Sequence, residues 1–151
     1  MAEIVAEKRV VILPDPDILA DAVAARFLDR VAKRAARGKK VHIALTGGTI
    51  AIPVLAAAAV RPEAGDIDWS HVHFWWSDER FVPRGDPDRN DHAARAAFLD
   101  RIGVPESNIH SHAASDDGVD METGAAAYAE ELARFGTDDE RWPSFDVCFL
   151  G

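Results

Sequence analysis

The stretch His71-Val72-His73-Phe74-Trp75-Trp76-Ser77-Asp78-Glu79-Arg80 constrains this chain more than any other. Its first half has the two-residue period of a strand, with Val72, Phe74 and Trp76 on one face and His71, His73 and Trp75 on the other. Aromatic and β-branched residues of this kind suit a buried pleat. The run then breaks into three charges, Asp78, Glu79 and Arg80. In an open α/β sheet, ligands bind just beyond the carboxyl ends of the strands. Charges at that point are candidates for chemistry, although a solvated loop with an internal ion pair is the plainer reading of such a triplet.

A second strand is expected over 40–46, with Val41, Ile43 and Leu45 on one face. It runs straight into Gly47-Gly48-Thr49, and Pro53 then opens a small-residue helix over 54–60. Strand, glycine turn and helix N-terminus together form an arrangement that cradles phosphate. The glycines let the backbone come close, and N–H groups and hydroxyls face the anion. The pattern is neither a Walker A loop nor a G-x-G-x-x-G fingerprint.

The remaining segments alternate in the same way. Residues 9–13 read as a first strand. Asp15 caps a helix that starts at Pro16, runs to about residue 37 and stops at Gly38. Its apolar face includes Leu19, Val23, Phe27 and Val31. Turn formers fill 81–90, a loop long enough to be functional. A helix over 91–101, a short strand over 108–110 and a helix capped by Asp120 follow. That last helix carries the stripe Met121, Ala125, Tyr128, Leu132 and Phe135. A final strand spans 145–150.

Strands alternating with helices predict an α/β fold: three αβα layers around a mainly parallel, doubly wound, Rossmann-like sheet. One sugar-phosphate-binding domain would occupy 1–151. No helix follows the final strand to cover it, so the domain is expected to be incomplete at its C-terminus, cut after a central strand.

Charge and cysteine usage narrow the function. A net charge of −9 lacks the basic footprint of a general nucleic-acid binder. It still permits an anionic metabolite held by backbone N–H groups and an arginine. The single cysteine, Cys148, lies in an apolar run, excludes an intrachain disulfide and reads as a small buried hydrophobe. No apolar run approaches the roughly 20 residues of a membrane span, and residues 1–9 lack the apolar core of a signal peptide. A cytoplasmic protein with no membrane or nucleic-acid partner is expected, as a monomer or a dimer. His71 with His73, and His110 with His112, each share a strand face. Without Cys/His zinc spacings they read as core or rim residues, and no metal is expected.

In a doubly wound sheet the two strand ends can face one crevice. One supplies an anion cradle, and the other a guanidinium and two carboxylates. That suits a small phosphorylated polyol better than a nucleotide. The residues that would do this resemble those of a known family. Leu45-Thr46-Gly47-Gly48-Thr49, then Trp76-Ser77-Asp78-Glu79-Arg80-Phe81-Val82-Pro83, then Asp88-Arg89-Asn90 are similar to the 6-phosphogluconolactonases. Gly103-Val104-Pro105, Asn108-Ile109-His110 and Phe145 through Gly151 fit as well, so the resemblance covers most of 10–151.

The resemblance implies hydrolysis of 6-phospho-D-glucono-1,5-lactone in the pentose phosphate pathway, with water and no cofactor. It also implies site residues. Thr46, Gly47, Gly48 and Thr49 would hold the phosphate end. Arg80 would sit against the substrate, with Asp78 beside it as a catalytic group. Glu79 would help bind substrate, and Asn90 would order the loop. The family's Gly-x-Gly-x-Asp-Gly-His segment, whose histidine is the expected general base, is absent from these residues. None of the six histidines stands in that context, so these residues alone are expected to be inactive. Ile50-Ala51-Ile52 also separate the glycine turn from Pro53, where the family often has its proline sooner. Two rival readings share the fold. In a sugar-phosphate isomerase or deaminase, Asp78 would move a proton at C2. A non-enzymatic sugar-phosphate sensor would call for a helix-turn-helix, and none precedes residue 40.

Overall fold

Three parallel strands, β1 (Val41–Leu45), β2 (Val72–Trp76) and β3 (Val147–Cys148), lie in the order β2-β1-β3 in a computed structural model that describes residues 8–151. Val41, Ile43 and Leu45 stand opposite Val72, Phe74 and Trp76, and all six are buried. Their faces meet α1 (Pro16–Ala35) and α2 (Ala51–Val60), which pack on each other and share one apolar core with the sheet. Each large apolar side chain buried here contributes roughly 1.5–3 kcal/mol.

Local chemistry sets the ends of α1. Asp15 Oδ1 accepts from the Ile18 amide at 2.8 Å and Pro16 takes the first turn. Gly38, at φ 69°, turns the chain out of it.

The helix expected over 91–101 is three segments run together: α3 (Asn90–Ala94), a π-helical turn (Arg95–Leu99) and α4 (Asp100–Ile102). The wider turn carries Phe98, which meets Phe27, Trp69 and Phe74 edge-on, with centroids 5.5–6.0 Å apart. Ile109 bridges to Phe74 in parallel, so the short strand expected at 108–110 is present as a single rung beyond β2.

The opposite face of the sheet is aromatic and imidazole-rich. His42 and His73 stack at 5.1 Å, and His73 Nδ1 lies 3.0 Å from His110 Nε2. His110 stacks on Trp75 at 3.8 Å. Its Nδ1 meets Glu131 Oε1 at 3.0 Å, on α5 (Met121–Arg134). Phe135, just past α5, closes over His73 and His110 at 4.9 Å. Helices thus flank both faces, as the alternation of elements predicts.

Several expectations are corrected. Residues 9–13 form no strand: Val10, Val11 and Ile12 are 73%, 50% and 89% exposed and find no ladder among the described residues. The helical stripe from 121 is used only in part, because Met121 and Ala125 face outward. The final strand is two residues long and lies at the sheet edge, so Cys148 is exposed instead of buried. No helix among the described residues is long and apolar enough to cross a membrane.

Burial pushes His42 and His73 down from 6.5 to about 4, with the neighbouring imidazoles and Lys40 acting in the same direction; on His42, Asp146 opposes this. The unfolded chain therefore binds more protons between those values, and stability must fall as pH drops through that window. Thermal melts are expected to show a steady loss of melting temperature from pH 6.5 to pH 4, with a flat response above it. His73→Phe keeps a stacked ring and is expected to make the slope shallower; an unchanged slope would discard this cause.

Candidate functional site

The register of β1 and β2 makes both strands end level, with Leu45 opposite Trp76. Ser77 then donates its amide to the Leu45 carbonyl at 3.1 Å. The glycine loop and the charged loop consequently leave the same sheet edge side by side. The third strand ends there too, where a Cβ on Gly151 would come within 3.1 Å of the Gly47 carbonyl.

Gly47 is required by a close approach. A Cβ at this position would lie 2.1 Å from Asn90 Oδ1, an impossible distance. Asn90 Nδ2 in turn donates to the Asp78 carbonyl at 3.1 Å. Asn90 is the shared wall between the two loops. Gly48 follows at φ 105°, a conformation that favours glycine. Among the described residues, the amides of Gly48, Thr49 and Ile50 have no internal acceptor. They precede the start of α2 at Ala51, the arrangement that attracts an anion.

Glu79 is held in place by backbone amides. Its Oε1 accepts from the Asn90 amide at 2.7 Å and from the Arg80 amide at 2.8 Å. Its Oε2 accepts from the Asp91 amide at 2.9 Å. The side chain is 2% exposed. This carboxylate caps the N-terminus of α3 from a distant loop and has both oxygens occupied by backbone amides.

Arg89 holds the same region from below. Nε and Nη2 form a two-pronged pair with the Asp91 carboxylate at 2.9 and 3.0 Å. Nη1 donates to the Arg80 and Ala113 carbonyls at 3.2 Å, and Nη2 donates to the His112 carbonyl at 2.8 Å. All five N–H groups of this 0%-exposed side chain are used. Burial alone would push the Asp91 carboxyl up, but the guanidinium outweighs it and holds it below the usual range.

A cavity of about 280 Å³ opens above this clamp, lined by Asp78, Glu79, Arg80, Phe81 and His112 and by the start of α5, including Met121 and Gly124. Asp78 and Arg80 are both exposed. Arg80 has no carboxylate within 4.0 Å among the described residues, so its charge is open to a ligand. His112 Nε2 lies 3.0 Å from the Trp76 carbonyl, and its ring stacks on Tyr128 at 3.6 Å. The Tyr128 hydroxyl accepts from the Trp76 amide at 3.0 Å and donates to its carbonyl at 3.2 Å. Burial pushes this phenol up to about 12, so it stays a neutral donor.

The structure thus brings Gly47, Asn90 and Asp78 into one connected group and sets Asp78 and Arg80 on one cavity. Thr46, Gly48 and Thr49 form the adjoining loop and do not line that cavity. Sequence reasoning missed Arg89, Asp91, His112 and Tyr128. Arg89 sits in a loop of turn formers, where nothing signals burial. No group of three or more metal-ligating side chains occurs among the described residues.

The family of glucosamine-6-phosphate isomerases/6-phosphogluconolactonase matches over residues 14–151. A 6-phosphogluconolactonase of Streptomyces coelicolor is 41% identical over 147 residues, which covers 95% of this chain and 56% of that protein. One from Mycobacterium tuberculosis is 41% identical over 143 residues, covering 93% and 57%. The crystal structure of 6-phosphogluconolactonase from Thermotoga maritima superposes with a TM-score of 0.74 at 25% identity, covering 91% of this chain and 56% of that one. The chain spans a little over half the length of the curated relatives it matches.

Two substitutions test this geometry. Arg89→Lys keeps the charge but supplies three donors in place of five. It is expected to lower the unfolding free energy by about 3–5 kcal/mol, read from the denaturant midpoint. Gly47→Ala is expected to destabilise the protein by about 1–3 kcal/mol through its clash with Asn90. In an Asn90→Ala background that cost should shrink to well under half; equal costs in both backgrounds would refute the close approach.

Proposed function

The chain belongs to the glucosamine-6-phosphate isomerase/6-phosphogluconolactonase family, and from that premise we propose that it acts on 6-phospho-D-glucono-1,5-lactone, opening it to 6-phosphogluconate. The observation that carries this reading is the pairing of an amide cradle with an unpaired Arg80 across Asn90. A phosphate and a polar sugar body need such a pair. The named lactonases at 41% identity favour lactone opening over the family's other chemistry.

In the proposed reaction, the Gly48, Thr49 and Ile50 amides hold the phosphate, with Thr46 and Gly47 shaping the turn. Water adds to the C1 carbonyl and gives up a proton to a base. The carbonyl oxygen becomes an oxyanion, for which Arg80 is the available cation. The bond from C1 to the ring oxygen then breaks, and that oxygen takes a proton to become the C5 hydroxyl. Asp78 is the nearby carboxylate that orients the polar groups of this step. We place this chemistry in the cytoplasm. By the resemblance, the base is a histidine of a Gly-x-Gly-x-Asp-Gly-His segment that these residues do not contain.

Two measurements test this. The 151-residue polypeptide is expected to melt at a higher temperature with 6-phosphogluconate, and Arg80→Ala is expected to abolish that shift. With the lactone it is expected to leave the rate at its spontaneous value; accelerated turnover would overturn the assignment of the base. In deuterated water, a form carrying the histidine segment should open the lactone without taking up deuterium at C2. Uptake there would move the protein to the isomerase reaction.

A further inference from the structure

We propose that His112 contacts the substrate, its Nδ1 accepting a hydrogen bond from a hydroxyl of the sugar chain. The proposal rests on the sugar-phosphate reading above and extends it to the end of the ligand away from the phosphate.

The tautomer is set by the partner of the other nitrogen. The Trp76 carbonyl can only accept, so the Nε2 facing it at 3.0 Å carries the proton. In the neutral ring Nδ1 is then a bare acceptor. Among the described residues Nδ1 has no partner, and it is not one of the buried atoms left without one, which are Arg61 Nε, Trp76 Nε1 and Ser111 Oγ. It therefore meets solvent. His112 also lines the cavity beside Asp78 and Arg80.

The ring is fixed before any ligand arrives. Tyr128 stacks on it at 3.6 Å and 16°, and the Tyr128 hydroxyl is tied to both backbone polar atoms of Trp76. The His112 carbonyl is held by Arg89 at 2.8 Å. Backbone, ring plane and tautomer are all determined, so Nδ1 points in one direction. Preorganised acceptors of this kind bind without an ordering cost.

The chemistry of the acceptor decides which end of the ligand it takes. A lone pair repels phosphate and carboxylate oxygens and needs a donor. On a phosphorylated sugar the donors are the hydroxyls. The polyol chain would therefore lie against the α5 side of the cavity, with the anion at the glycine loop.

The test exploits the two nitrogens. His112→Gln places an amide where Nε2 was, keeping a donor for Trp76 and losing the acceptor at Nδ1. His112→Asn places its carbonyl near Nδ1, keeping the acceptor and losing the bond to Trp76. Titration calorimetry with 6-phosphogluconate, alongside inorganic phosphate as the probe of the cradle, is expected to show a roughly tenfold weaker sugar-phosphate complex for Gln, with phosphate binding unchanged. Asn is expected to bind within about threefold of the original protein despite a lower melting temperature. Gln binding the sugar phosphate as tightly as the original protein, or affinities that merely follow the melting temperatures, would overturn the role of His112 alone. Failure of the original protein to bind 6-phosphogluconate would overturn the sugar-phosphate reading and this proposal with it.

Discussion

One buried guanidinium sets the geometry of the cavity rim. Arg89 joins three pieces of chain that no sheet or helix connects: the charged loop at Arg80, the segment at His112 and Ala113, and the start of α3 at Asp91. A cation so buried is costly unless every donor finds a partner. Here the carboxylate of Asp91 balances the charge, and carbonyls take the remaining donors. Glu79 repeats the logic with opposite sign, collecting three amides on one carboxylate. The pair leaves Asp78 and Arg80 outside, exposed and free to meet a ligand. Rigidity beneath and freedom above are consequences of the same network.

The sheet divides into two chemistries because its pleat does. One face of β1 and β2 is wholly apolar, and the other carries His42, His73 and Trp75. The histidine face is held by stacking and by a short chain of nitrogen contacts that ends at Glu131. Such a face needs neutral imidazoles, which burial enforces. It also anchors α5, and Met121 and Gly124 of α5 wall the cavity. Packing on the far side of the sheet thus reaches the candidate site through one helix.

The strands of the sheet, the two loops at their ends and the α/β class were legible because period-two patterning and glycine turns are local signals. Asp78, Arg80, Gly47 and Asn90 were legible as a group for the same reason, each standing at a predicted strand end or in the loop after it. What stayed hidden depends on distant partners. Glu79 and Arg80 are adjacent charges with opposite fates, decided by amides eleven and twelve residues away. Val10 to Ile12 have every property of a strand except a neighbour to pair with among the described residues. Cys148 is apolar in sequence but lies on an edge strand, where one side has no cover. Propensity reports what a segment can do, and pairing decides what it does.

On the proposed reading, an anion cradle set apart from the reactive groups explains how one family name can join isomerases and lactonases. Binding energy from a phosphate remote from the reacting carbon serves to position the substrate for either reaction. It contributes nothing to the choice between moving a proton at C2 and adding water at C1. That choice has to lie in the groups that face the sugar body. On the proposed reading those are Asp78, Arg80 and His112, around a cavity whose rim is held by Arg89. A carboxylate alone would suit proton transfer. A carboxylate beside an unpaired guanidinium also supplies a place for the negative charge that develops on a lactone carbonyl oxygen. On that reading the composition of the loop favours the proposed acyl chemistry, and the cradle is neutral between the two.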